Sequence, residues 1–185
     1  MKKESALRYV GFNINYDREK DDFYPTPKEA TQALLDREKF EGEIWECACG
    51  DGAMSKVMIE NGYKVKSSDL INRDYGETQI DFLKSNYKTD NIITNPPFIL
   101  STAFTFHALK QAKKKVVILN KISYLEGVTR RKLLFNQKKL EKVWIFTRRV
   151  AFKKPGANKL AGGLMAFGWF VYDVNYNGLP QIDWI

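Results

Sequence analysis

Apolar and polar positions fall in blocks along the chain, and each block carries its own period. Residues 28–38 place Ala30, Ala33 and Leu34 at helical spacing behind Thr26-Pro27, a cap followed by proline in the first helical position, and Glu41-Gly42 ends that helix. A short apolar run at residues 44–48 reads as a strand and leads into the loop Cys49-Gly50-Asp51-Gly52. Residues 53–61 turn helical again, with Met54, Val57 and Met58 on one face and Asn61-Gly62 as the stop. Residues 63–68 predict a strand ending at Asp69, and a weaker stretch at 80–83 precedes another strand at 91–94. Residues 101–113 read as helix, 116–119 as a continuous strand buried on both faces, and 130–136 as helix. Two aromatic-rich strands, 143–150 and 164–174, close the chain as an antiparallel hairpin around a loop that holds Pro155, Gly156, Gly162 and Gly163. Strand and helix alternating in this way predict an α/β chain, a mostly parallel sheet with helices on both faces.

Composition adds bounds to that picture. At 185 residues the length suits one domain, predicted over 24–185, with the polar residues 1–23 as a flexible N-terminal arm. An apolar fraction of 44% supplies a core and excludes a wholly disordered chain. Lys and Arg number 30 against 22 Asp and Glu, and the resulting +8 favours a polyanionic partner, nucleic acid before an anionic membrane. With one histidine, His107, and two cysteines, Cys47 and Cys49, a four-ligand His/Cys zinc site is excluded, and no metal is expected. The two thiols are too close in sequence to bridge without strain. No apolar leader follows Met1-Lys2-Lys3, and the longest near-apolar run, 164–172, falls short of the ~20 residues of a membrane helix, so a cytoplasmic protein without a membrane partner is expected.

Three short motifs carry the candidate chemistry. Glu46-Cys47-Ala48-Cys49-Gly50-Asp51-Gly52 places an acid at a strand end before a Gly-x-Gly turn that opens a helix, although Gly-Asp-Gly is also an ordinary turn. Asp69 follows 17 residues after Gly52, where an acid can accept from ribose hydroxyls; Ser55 stands where a dinucleotide site would have its third glycine, and no P-loop triplet is present. Asn95-Pro96-Pro97-Phe98 follows the strand at 91–94. Its two prolines remove N–H donors, so an Asn side-chain oxygen and a proline carbonyl can both accept from one exocyclic amine, while Phe98 offers a ring for a planar base.

With these residues in order, the chain resembles the class I S-adenosylmethionine-dependent methyltransferases, in particular those acting on the N6 amine of adenine. The resemblance runs from about residue 21 to 173 through Tyr24-Pro25-Thr26-Pro27, the Glu46 to Gly52 loop, Asp69, Asp81-Phe82 and Asn95 to Phe98. Phage and prophage members are closer still, through Ser123-Tyr124-Leu125-Glu126-Gly127, Ile145-Phe146-Thr147-Arg148-Arg149 and Trp169-Phe170-Val171-Tyr172. It implies a Rossmann-like class I methyltransferase fold with a seven-stranded sheet. It further implies S-adenosylmethionine as cofactor, its methionine end at Tyr24, Thr26, Glu46, Cys47, Ala48, Gly50 and Gly52, its ribose at Asp69, and its adenine at Asp81 and Phe82. Asn95, Pro96 and Phe98 would be catalytic, Asn95 also touching the cofactor and Pro97 the substrate. Phe98 stands where many DNA enzymes have Tyr, and Lys121 where the phage pattern has Arg.

The basic residues Arg130, Arg131, Arg148, Arg149, Lys153, Lys154 and Lys159 are the expected phosphate contacts. Lys113-Lys114-Lys115 reads instead as a helix end complementing the dipole. Trp45, Trp144 and Trp169 read as core, His107 as structural, and the cysteines as small strand-end residues. The expected reaction is methyl transfer to adenine N6 in DNA. RNA adenine, a protein glutamine amide and a catalytically silent scaffold are the rivals. Only 90 residues follow Asn95, so relaxed sequence preference or a protein partner for target recognition is expected.

Overall fold

The computed structural model describes residues 23–152 and 165–185. In chain order the elements are α1 (Lys28–Arg37), β1 (Ile44–Glu46), α2 (Ala53–Glu60), β2 (Val65–Ser67), β3 (Thr89–Thr94), α3 (Ser101–Gln111), β4 (Ala112–Lys121), α4 (Val128–Leu133), β5 (Leu140–Ile145), β6 (Phe167–Asp173) and β7 (Gln181–Trp184). The described strands form one sheet in the order β2-β1-β3-β4-β6-β5-β7. β2, β1, β3 and β4 pair in parallel, β6 runs antiparallel to both β4 and β5, and β7 pairs in parallel with β5. Six strands therefore share one direction and β6 alone opposes them.

Alternation along the central strands divides the core. Val117 and Leu119 of β4, with Trp169 and Val171 of β6, face α1 and α2 through Leu34, Met54 and Met58. Val116 and Ile118, with Phe170 and Tyr172, face α3 through Phe104 and Ala108. A strand buried on both faces must be apolar at every position, which is why Val116-Val117-Ile118-Leu119 shows no alternation in sequence. The three tryptophans expected in the core are buried, and each indole N–H has an acceptor: Ser68 Oγ for Trp45 at 2.8 Å, Glu38 Oε1 for Trp144 at 3.0 Å, and the Ala30 carbonyl for Trp169 at 2.9 Å.

Four expectations need correction. Lys113, Lys114 and Lys115 do not cap a helix: α3 stops at Gln111 and runs directly into β4, which carries all three. From there Lys114 pairs with Glu41 at 3.1 Å, and Lys115 pairs with the buried Glu38 at 2.8 Å. The strand expected at 143–150 starts earlier and ends at Ile145; Phe146 and Thr147 still donate to the Phe167 and Ile185 carbonyls, and the chain then bends at Thr147-Arg148. Its partner begins at Phe167 rather than 164; Leu164 and the loop at 153–163 lie outside the described residues. Finally, β7 was not foreseen. All four of its residues are exposed at the sheet edge, so neither face imposes an apolar pattern.

Glu38 is the buried polar group that α1 and the sheet share, accepting from Trp144 and paired with Lys115. Glu38→Ala should cost about 2 kcal/mol in urea unfolding by leaving the indole N–H without its acceptor. Lys114→Ala, which removes an exposed pair, should stay within about 0.5 kcal/mol.

Candidate functional site

At the carboxyl ends of β1, β2 and β3 the sheet changes winding direction, since β1 continues to β2 on one side and lies beside β3 on the other. Open α/β sheets place ligands at such a switch point. A cavity of about 450 Å³ lies there, lined by Tyr24, Thr26, Glu46, Cys47, Ala48, Asp69, Asp81, Phe82, Asn95 and Pro97 among others. Nine of the expected cofactor residues thus share one cavity, drawn from five separated stretches of sequence.

Asn95 leaves β3 as the first residue of the double-proline loop. Its Nδ2 donates to Thr26 Oγ1 at 3.0 Å and to the Tyr24 carbonyl at 3.3 Å. Both donors are thereby committed to the segment preceding α1. Its Oδ1 is buried and has no hydrogen-bond partner among the described residues. An acceptor taken from water and left unpaired costs about 1–3 kcal/mol, so this atom favours any ligand that brings a donor. Pro96 is buried and Pro97 half-buried, and the Pro97 carbonyl accepts from Leu100 N to close a tight 3₁₀ turn over Phe98–Leu100.

Acids dominate the cavity's charged lining: Glu46, Asp51, Asp69 and Asp81, with Arg73 as the cation among them. Glu46 ends β1 fully enclosed, and burial raises its carboxyl from the ordinary carboxylate range to about 8, against the lowering effect of a hydrogen bond from Ser55 Oγ. Ser55 Oγ also lies 2.6 Å from Ser67 Oγ at the end of β2. Asp69 accepts from Gly50 N and from Ile71 N, both at 2.8 Å, and from Arg73 Nη1 at 3.3 Å. A carboxylate offers about four acceptor sites, and three bonds to Asp69 among the described residues leave it acceptor capacity for a ligand. Asp81 accepts from Leu83 N at 3.1 Å and pairs with Lys84 at 3.0 Å. Phe82 packs in the core against Trp45 and Phe104 while lining the cavity.

Gly50 and Gly52 depart from expectation: neither lines the cavity. They do adopt left-handed angles, φ 57° and 81°, as the turn requires. The close approach they permit is to the protein's own rings, because a Cβ on Gly50 would meet Phe23 at 2.3 Å and one on Gly52 would meet Tyr75 at 2.5 Å. Phe98 and Pro96 also lie outside the cavity lining. The Phe98 ring packs 5.6 Å from Phe167, with Lys121 Nζ 4.9 Å over its face.

The expected phosphate contacts separate into four groups. Arg130 is turned inward, donating from Nε to the Tyr124 carbonyl at 2.7 Å and from Nη2 to the Glu126 carbonyl, so its role is to brace the loop before α4. Arg131 is exposed on α4. Arg148 and Arg149 are exposed and line a second cavity, which shares Pro25 and Thr26 with the first. Lys153, Lys154 and Lys159 lie outside the described residues. His107 bonds the Ser85 carbonyl at 2.9 Å and stands edge-on to Phe82. Burial raises both thiols, Cys49 to about 12 and Cys47 well above its ordinary value, which leaves them neutral at physiological pH.

Sequence reading missed Ser55, Ser67 and Arg73 as parts of this region, and it marked Lys121 only as a departure from the phage pattern, without a role. Arg73 left a legible signal, four residues after Asp69. Ser55 entered the reading as an absent glycine, and its bond to Glu46 depends on α2 folding back over β1.

No protein-family model and no curated protein matches the chain. Solved structures do. The modification subunit of a proposed type I restriction enzyme from Vibrio vulnificus superposes with a TM-score of 0.66 at 12% identity, covering 98% of this chain and 50% of that one. This chain therefore spans half the length of that subunit. A proposed RNA methyltransferase from Pyrococcus horikoshii gives 0.64 at 15% identity, over 94% of this chain and 98% of the other. Magnesium protoporphyrin IX methyltransferase from Synechocystis, with bound S-adenosylhomocysteine, gives 0.56 at 12% identity, over 79% and 82%. These likenesses establish the architecture: the chain has the Rossmann-like fold of the class I S-adenosylmethionine-dependent methyltransferases.

Glu46 makes stability depend on pH. Below about 4.5 the carboxyl is protonated in folded and unfolded chain alike; between about 4.5 and 8 only the unfolded chain ionises it, so stability falls as pH rises through that window. Glu46→Gln removes this titration. Its Tm relative to the unmodified protein should therefore rise between pH 5 and pH 8.5, as thermal melts at both values would read.

Proposed function

We propose that this chain is an S-adenosylmethionine-dependent methyltransferase acting on adenine N6 in nucleic acid, DNA before RNA. The observation that carries this reading is the divided amide of Asn95, with both donors bonded to Tyr24 and Thr26 and its buried oxygen left to accept.

The cavity suits such a cofactor. Its acids favour a ligand carrying ammonium and sulfonium charges, and Glu46 would ionise to meet the ammonium. Asp69 keeps an acceptor for a ribose hydroxyl, and Phe82 gives an apolar wall for a planar ring. Because Phe23 and Tyr75 cover the glycine turn, Gly50 and Gly52 would shape the loop rather than touch the ligand. When bound, the cofactor supplies a methyl group activated by its sulfonium.

The chain's own residues then handle the amine. Adenine N6 is a weak nucleophile because its lone pair is delocalised into the ring. Accepting one N–H at Asn95 Oδ1 and the other at the Pro96 carbonyl would hold the nitrogen pyramidal and free that lone pair for in-line attack. The surplus proton can leave to water, which agrees with a lone histidine occupied by the Ser85 carbonyl. In a duplex the base must first be extruded, at a few kcal/mol. Arg148 and Arg149, on the second cavity beyond Thr26, would hold backbone phosphates, with Arg131 and the lysines at 153, 154 and 159 completing the basic surface. A single catalytic domain over 24–185, a cytoplasmic setting, and little sequence preference without a partner belong to the same reading. RNA is the second substrate to weigh, since one structural neighbour is a proposed RNA methyltransferase.

The test is mass spectrometry of nucleosides from cells expressing the chain, DNA and RNA digested separately, with Asn95→Ala alongside. The expected result is N6-methyladenine in DNA that falls at least about 100-fold in the mutant, while purified mutant binds S-adenosylmethionine within a few-fold of the original. Undiminished methylation in the mutant would overturn the assignment of Asn95; signal confined to RNA would replace the substrate.

A further inference from the structure

The Phe98 ring, which the Asn95 to Phe98 motif offers as a stacking face for the target base, has a cation on its face. β4 and β6 pair so that Lys121 stands opposite Phe167. The Phe167 ring lies 5.6 Å from Phe98, and Lys121 Nζ lies 4.9 Å from the Phe98 centroid. Behind Phe167 the rings continue to Phe152 at 5.0 Å and on to Tyr24 at 6.2 Å, and the Tyr24 carbonyl accepts from Asn95. A file of four rings thus runs from the Asn95 anchor to Phe98, and Lys121 closes its far end.

An ammonium and a planar base cannot occupy one ring face together. Lysine carries a compact charge on a flexible four-carbon stem, so its head can leave the ring and remain near its edge, which a stacked guanidinium does less readily. A nucleotide that takes the ring face brings its own anion, the phosphate attached to that same sugar. A protein amide brings none.

Resting on the proposed nucleic-acid substrate, we propose that Lys121 is a positioning residue for the target nucleotide: its ammonium covers the Phe98 ring until a base stacks there, then moves to that nucleotide's phosphate. The site would thereby favour a nucleotide over a protein glutamine amide, which offers the same planar amine without the charge.

The test follows binding of a fluorescent, adenine-containing single-stranded oligonucleotide to the full chain by anisotropy across a salt series. Lys121→Gln should weaken binding about tenfold and reduce the slope of log K against log salt by about 0.7, one phosphate contact on a single strand. Lys121→Arg, which keeps the charge but leaves the ring less readily, should restore the slope only in part, and Lys114→Gln, which alters an exposed pair with Glu41, should leave it unchanged. In competition, deoxyadenosine monophosphate should displace the oligonucleotide better than deoxyadenosine from the original protein, and Lys121→Gln should abolish that advantage. An unchanged slope, or equal weakening toward nucleoside and nucleotide, would overturn the proposal by leaving Lys121 a packing role alone. Turnover measured on the same oligonucleotide separates the two readings: binding with the expected slopes but no methylation by the original protein would overturn the catalytic assignment and not the phosphate contact.

Discussion

The junction at Asn95 is where strand, preceding segment and cavity meet. β3 delivers the side chain to the end of the sheet, and the segment before α1 supplies a carbonyl and a hydroxyl that take both of its N–H groups. An amide has one oxygen and one nitrogen, so committing the nitrogen decides where the oxygen is. The residues around Tyr24 and Thr26 thus fix the polarity of a group 70 positions further along the chain. The double proline completes the arrangement, because a backbone that cannot donate does not compete for that oxygen.

Electrostatics divides the molecule in a way that its net charge conceals. The chain carries +8, yet the cavity is lined by four carboxyls and one guanidinium. A cationic small ligand and a polyanion can therefore be drawn to adjoining parts of one protein. The second cavity carries Arg148 and Arg149 beside the wall of Pro25 and Thr26, so opposite preferences meet across that shared wall. Glu46 is a carboxyl without a cationic hydrogen-bond partner among the described residues, held neutral by burial to about pH 8. Burying an acid where no cation compensates it is costly, and functional sites are where that cost recurs.

Much of the architecture was legible in the chain. The unbroken apolar run at 116–119 announced a strand covered on both faces, and Thr26-Pro27 announced where α1 starts but not its cap: Pro27 holds the cap position, the helix begins at Lys28, and the Thr26 hydroxyl accepts from Asn95 instead. Boundaries were less so. Lys113 to Lys115 look like a helix end because their charge suits one, and only the pairing of β4 with β3 and the acceptors at Glu38 and Glu41 draw them into the sheet. β7 gave no signal, since an edge strand exposed on both faces has nothing to pattern against. At the site, the acids and the Asn-Pro-Pro-Phe motif stood out by spacing and residue type. Which of their atoms remain open did not.

The sequence by itself determined the order of strands and helices, the excess of positive charge, the absence of a His/Cys zinc set and the identity of the acids and amide at the strand ends, because periodicity and residue chemistry are local properties. Tertiary structure alone decided that Gly50 and Gly52 lie under Phe23 and Tyr75, that Arg130 turns inward to its own loop, that Lys121 caps Phe98, and that Asn95 presents its oxygen. Each of these is a choice among partners brought together from distant parts of the chain, and hydrogen-bond direction, ring contact and burial exist only once those partners are in place.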